Sequence, residues 1–179
     1  MSIQVATVAG GCFWCIEAAF NQLQGVLNAT SGYMGGQTDN PSYRDICTGL
    51  TGHAEVVQLE FDASIISFKQ LLEILFFLHD PTTLNRQGND IGTQYRSAVF
   101  VHNEQQQLEV KRFIDELSQQ QVYPDPIVTS IEPIDTFYPA ESYHQGYAAQ
   151  NPNQPYCQFL VLPKLAKFRQ RFAALQKPA

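Results

Sequence analysis

The apolar run Ile3 to Ala9 reads as a strand, and Gly10 and Gly11 stop it just before Phe13 to Gln22, which reads as a helix. Further strand–helix pairs follow, mixed with direct strand–strand connections. That mixture predicts an α+β fold, a two-layer sandwich of a mixed β-sheet with helices packed on it. Val26 to Thr30 fits a second strand. Gly32 to Gly52 is rich in Gly, Asn, Pro, Thr and Ser and reads as a long loop, a feature that is uncommon in compact domains and often functional. Val57, Leu59 and Phe61 alternate with Gln58 and Glu60 as in a half-buried strand.

Ser67 and Gln70 form a capping box that opens a helix with Phe68, Leu71, Leu72 and Leu75 on one face. A second loop, Pro81 to Gln94, leads into the strand Ser97 to Val101. Asn103 then caps a helix whose stripe is Val110, Phe113, Ile114 and Leu117. Ile127 to Ile131 is a further strand and Ala140 to Ala149 helical. Pro163 to Leu175 is a terminal helix with Leu165, Phe168 and Phe172 inward. No repeat, low-complexity tract or linker divides the chain, so residues 1–179 are expected to form a single domain.

The net charge of −6 argues against a nucleic-acid or anionic-membrane surface. No segment approaches the roughly 18 to 20 apolar residues that span a bilayer. The amino terminus lacks a basic start and an apolar signal core, so a cytoplasmic protein with reduced thiols is expected. Four cysteines in 179 residues are too few for a disulfide scaffold, which leaves catalysis or metal binding for any that do not simply pack.

Two of those cysteines flank Phe13 and the only tryptophan, Trp14, in GGCFWC. Cys12 stands at the strand–helix junction, where free backbone N–H groups and the helix dipole favour a thiolate. A nucleophile is the functional reading; a small buried hydrophobe is the bland one. Cys15 makes the pair a C-x-x-C, which leaves a thioredoxin-like disulfide exchanger and half of a zinc site as rivals. Zinc needs two more ligands; Cys47 and His53 stand at irregular spacing, so no metal is expected. The first long loop carries Tyr43, His53 and Glu55, and the second carries Asp90, Tyr95 and Arg96. Glu55 and Tyr95 fall at strand starts, where a dehydrated carboxyl group can act as an acid near neutrality. A solvated carboxylate and rim tyrosines are the alternative.

GCFWC, GHAEVV, NDIGTQYRS, ESYHQ and NPNQPYC, in this order between about Ile3 and Lys164, resemble the A-type peptide methionine sulfoxide reductase family. The resemblance implies a ferredoxin-like core with long active-site loops. It implies Cys12 as the nucleophile that attacks the sulfoxide sulfur, and Glu55 as the proton donor to its oxygen. Tyr43 and Tyr95 match tyrosines that hydrogen-bond that oxygen, and Asp90 a carboxylate holding the polar network. Phe13 and Trp14 match the aromatic wall around the methyl group. The substrate implied is the S epimer of methionine sulfoxide, free or in proteins.

Attack leaves Cys12 as a sulfenic acid, which condenses with a second thiol. In the family a carboxy-terminal cysteine does this, and Cys157 occupies such a place in a segment, about 150–162, that reads as mobile. Cys15 is the alternative; many members carry glycine there. Thioredoxin, or dithiothreitol in vitro, is the implied reductant, with no bound cofactor and a monomeric enzyme. His144 and Arg96 are expected to support the site, Cys47 to pack, and His79 and His102 to be ordinary surface or boundary residues.

Overall fold

The structure is a computed structural model that describes residues 2–178. Its core sheet has the order β7-β6-β1-β3-β2-β8. At its centre lies β1 (Ile3–Gly10), antiparallel to both β3 (Ala54–Asp62) and β6 (Ser97–Val101). On the far side of β3 runs β2 (Val26–Met34), also antiparallel. With α1 (Phe13–Phe20) after β1 and α3 (Phe68–Leu78) after β3, these strands give the β-α-β-β-α-β order of a ferredoxin-like core. The edge strand β7 (Ser130–Pro133) joins β6 in parallel, and β8 (Tyr138–Pro139) joins β2 antiparallel, so the sheet is mixed as expected.

Strand periodicity sorts the apolar residues into two layers. Ala6, Val8, Val57, Leu59, Phe61 and Val99 point to the helices and share one core with Phe20, Leu71, Leu75, Val110 and Phe168. Ala9, Met34, Ala54, Val56, Ala98 and Phe100 form a smaller cluster on the opposite face. Both faces of β3 are therefore covered, which is why Val56 and Val57 are adjacent and both fully buried. Burial of each such side chain contributes about 1.5–3 kcal/mol.

The expected capping box holds: Ser67 accepts from the Gln70 N–H and Gln70 Oε1 accepts from the Ser67 N–H. Asn103 likewise caps α4 (Glu104–Gln119). Several boundaries differ from the sequence reading. The supposed loop from Gly32 first continues β2 to Met34, because Gly32 and Tyr33 still pair with Val56 and Glu55. It then holds α2 (Tyr43–Cys47), five residues started by a second capping box, Ser42 with Asp45. The strand read at Ile127 to Ile131 is shifted to Ser130–Pro133, where it finds its partner on β6.

The helix read over Ala140 to Ala149 is broken by Gly146, whose φ of +66° no helix accommodates. A 3₁₀ turn (Ser142–His144) precedes it and α5 (Tyr147–Gln150) follows. A two-residue hairpin, β4 (Arg86–Gln87) with β5 (Asp90–Ile91), and a 3₁₀ turn (Thr93–Tyr95) fill the second long loop. Near the carboxy terminus a π-helical turn (Cys157–Val161) runs into α6 (Leu162–Arg171), shorter than the expected Pro163 to Leu175, and a 3₁₀ turn (Ala173–Leu175). No helix among the described residues is long and apolar enough to cross a membrane.

Two minor expectations are corrected. His79 is 7% exposed, not a surface residue: its ring bonds to the Leu75 carbonyl and the Ser97 hydroxyl at the end of α3. Cys47 does not pack in the core; it is exposed at the end of α2.

Candidate active site

A cavity of 160 Å³ opens where β1 passes into α1, lined by Cys12, Phe13, Trp14, Tyr43, Glu55, Asp90, Tyr95, Gln154 and Tyr156. The structure thus gathers seven of the residues singled out in the sequence from three separate stretches. A larger open groove of 1040 Å³ among α3, α4 and α6 contains none of them.

Cys12 is the N-cap of α1, with extended φ and ψ and no side-chain cap bond. Its thiol is free to face the cavity. Burial of the sulfur, followed by the charge of Glu55, raises this thiol well above its ordinary range. The Trp14 backbone N–H and the Tyr156 hydroxyl pull in the other direction and do not prevail. The helix terminus does stabilise a thiolate as the sequence suggests, but dehydration outweighs it.

Glu55 is the second residue of β3, one strand away, and is 2% exposed. Its Oε1 accepts from the Phe13 N–H at 3.2 Å, tying the acid to the first turn of α1. Burial pushes its carboxyl up to about 8, with the Phe13 N–H opposing and Asp90 adding to the rise. It is therefore a neutral acid at pH 7. The hydroxyls of Tyr43 and Tyr95 are raised by burial first and by Glu55 second, so both stay protonated donors. Asp90 Oδ2 accepts from the Tyr156 hydroxyl at 2.6 Å, and that hydroxyl also contacts the Cys12 sulfur.

The indole of Trp14 is fixed on three sides. It stacks on Tyr147 with ring centroids 3.8 Å apart and 10° between planes. Tyr156 meets it edge-on, and its Nε1–H donates to His144 Nδ1 at 2.9 Å. Because indole can only donate, His144 must be the tautomer protonated at Nε2. That ring is 1% exposed and lies 4.4 Å from the Tyr43 ring. Glu17 accepts from the Gly146 N–H at 2.7 Å and so holds the turn that carries Tyr147.

Glu141 plays a matching part for Tyr43, accepting from its N–H at 2.8 Å and from the Tyr33 hydroxyl at 3.0 Å. Arg96 sits outside the cavity. Its guanidinium grips Glu132 at 2.9 and 3.1 Å and donates to the Gly52 and Thr93 carbonyls. His53, also in the first loop, bonds to the Gly36 N–H and the Thr38 carbonyl rather than entering the cavity.

Sequence reasoning missed Gln154, Tyr156, Tyr147, Glu17 and Glu141. Their only signal is that Tyr156 and Gln154 fall in NPNQPYC, and Glu141 in ESYHQ. Of the other thiols, Cys47 contacts the Tyr43 hydroxyl at the edge of the cavity, whereas Cys15 and Cys157 line no part of it. Cys15, one turn along α1, is 5% exposed, and burial pushes its thiol up to about 11. Cys157 is fully buried in the same apolar core that Cys15 enters from α1.

A family model described as Peptide methionine sulfoxide reductase matches residues 4–176 of this chain. The Peptide methionine sulfoxide reductase MsrA of Polynucleobacter asymbioticus is 53% identical over 177 residues, 99% of this chain and 93% of the relative. Among solved structures, reduced Mxr1 from Saccharomyces cerevisiae is similar with a TM-score of 0.78 and 36% identity, covering 86% of this chain and 88% of that one. Mxr1 in complex with Trx2 is similar with a TM-score of 0.55 and 25% identity, covering 82% and 85%.

Proposed function

This chain belongs to the peptide methionine sulfoxide reductase family and is an oxidoreductase that reduces methionine sulfoxide to methionine; we propose that the cavity at the start of α1 is where it does so, with Cys12 as nucleophile. The carrying observation is that a thiol, a neutral buried carboxyl group and two protonated phenols line one small cavity walled by aromatic rings. The sulfoxide oxygen receives hydrogen bonds from Tyr43 and Tyr95 and the proton of Glu55. Glu55 protonates the sulfoxide oxygen, turning a poor leaving group into hydroxyl, while the Cys12 sulfur attacks the sulfoxide sulfur and its proton passes to the Glu55 carboxylate so formed. The oxygen passes to Cys12, which becomes a sulfenic acid. The thioether sulfur gains two electrons and leaves as methionine, and the proton count is unchanged across the step.

Phe13 and Trp14 hold the methyl group, where sulfur–aromatic contact contributes about 0.3–1.5 kcal/mol. Oxygen toward Glu55, methyl toward the indole and sulfur toward Cys12 leave one direction for the rest of the side chain, the mouth. Three fixed substituents on a pyramidal sulfur select one epimer, which the family resemblance assigns as S.

Cys157 then condenses with the sulfenic acid, releasing water. Cys15, which shares the core on the inner side of α1 with Cys157, is the alternative partner or an auxiliary thiol. A thioredoxin reduces the final disulfide, as the complex of Mxr1 with Trx2 suggests. The test is rapid-quench analysis without reductant. Cys12→Ser forms no methionine, whereas Cys157→Ser forms one equivalent and then stops. Full activity in Cys12→Ser would remove the nucleophile from this position.

A further inference from the structure

The Gly10–Gly11 turn that presents Cys12 is gripped from both sides by one loop, and neither contact belongs to the reaction just described. Below it lies His79. A Cβ built on Gly10 would come within 2.7 Å of the His79 ring, so ring and backbone are in direct contact. Above it lies Gln87: a Cβ on Gly11, whose φ is +86°, would come within 2.7 Å of the Gln87 side chain. Both side chains are locked.

The His79 Nδ1–H donates to the Leu75 carbonyl, and His79 Nε2 accepts from the Ser97 hydroxyl at 2.7 Å. Ser97 in turn bonds Thr129 at 2.7 Å. The carbonyl can only accept, so this chain of bonds has one direction and one neutral tautomer. Ser97 also pairs with Gly10 in the β1–β6 register, which closes the arrangement around the glycine. The Gln87 amide accepts from the Asp80 N–H at 2.9 Å and donates to the Asp80 carbonyl and to Thr83.

We infer that His79 and Gln87 are positioning residues: together they clamp the Gly10–Gly11 turn and so fix the Cys12 sulfur relative to Glu55 and the cavity. The inference rests on Cys12 being the nucleophile. Its physical basis is the cost of imprecision, since a misplacement of order 1 Å at a reacting atom costs roughly 100-fold in rate. Removing the ring leaves a void under a residue that has no side chain to fill it.

The test measures the single-turnover rate constant and the KM for methionine sulfoxide on the folded fraction of each variant. His79→Ala slows the chemical step by about tenfold to 100-fold with KM within roughly twofold of the wild type. Gly10→Ala also slows it, because its methyl group meets the ring. In Gly10→Ala/His79→Ala the methyl enters the space the ring vacates, and the rate recovers about fivefold over either single variant. Should His79→Ala fail to fold, Gln87→Ala is read in the same way.

A folded His79→Ala or Gln87→Ala with the wild-type rate constant overturns the clamp, as does a double variant no faster than the product of the single effects. Methionine formation that survives Cys12→Ser instead overturns the nucleophile assignment and leaves the clamp without its object. The two failures are distinguishable.

Discussion

A carboxyl group that burial pushes up to about 8 weakens the fold wherever the unfolded chain would ionise it. Below about pH 4.5 Glu55 is protonated in both states and its shift has no effect on stability. As pH rises toward 8 the unfolded chain loses this proton and the folded one keeps it, so stability falls across that window. Glu55→Gln therefore raises Tm by roughly 5 °C or more at pH 8 and changes it little at pH 4, read by calorimetry. The same variant slows single-turnover methionine formation by about 10² to 10⁴, with binding retained, and the wild-type kcat/KM falls as pH passes about 8. His144 is tested by its neighbour: in His144→Ala the lone tryptophan loses its indole N–H acceptor. Fluorescence reports a mobile Trp14, KM rises several-fold, and Tm falls because the buried ring leaves a void among Phe13, Trp14 and Tyr43. Cys12 was legible from its place at a strand–helix junction. The joining of Glu55, Tyr43 and Tyr95 to it in one cavity was legible only through the motifs that resemble the family, since the residues alone left a solvated carboxylate and rim tyrosines open. The protonation of Cys12 was not legible, because helix-end stabilisation is local and visible in sequence, whereas dehydration comes from residues as distant as Tyr156.

At the scale of elements, α2 is too short to persist alone and depends on its attachments. Its Ser42–Asp45 capping box and the Glu141 bond to the Tyr43 N–H hold the phenol over the cavity. Ser42→Ala costs about 1 kcal/mol and lowers Tm by roughly 2–4 °C. Steady-state assay shows the larger effect in KM, as the proposed bond of this phenol to the sulfoxide oxygen before the chemical step requires. This helix was hidden in the sequence for a physical reason: five residues complete little more than one turn and show no apolar period. The long elements were readable for the converse reason. The stripes of α3 and α4 and their caps appear where the periodicity put them, because each buries one face on a sheet. The break at Gly146 depended on a left-handed backbone that the Glu17 carboxylate holds, a contact between residues 129 positions apart.

Across the whole molecule, the site depends on stretches brought together by the sheet, and Arg96 joins three of them outside the cavity. It links the turn ending in Tyr95, the Gly52 carbonyl before Glu55, and Glu132 on β7. Lysine keeps the charge but not the fork, so Arg96→Lys lowers kcat/KM by about tenfold, and calorimetry shows a lower Tm as well. The two-layer order was legible from the succession of strands and helices; the partner of Arg96 was not, since the strand carrying Glu132 was read three residues too early. The cavity itself is 160 Å³, room for about five water molecules at roughly 30 Å³ each. In the reading proposed above, such a space takes an oxidised side chain but not the polypeptide that carries it, so the peptide bonds on either side stay in solvent. Damage repair of this kind ignores the identity of the damaged polypeptide: what qualifies a client is a tip that protrudes far enough to be swallowed, so a lesion sheltered inside a folded domain waits until that domain opens.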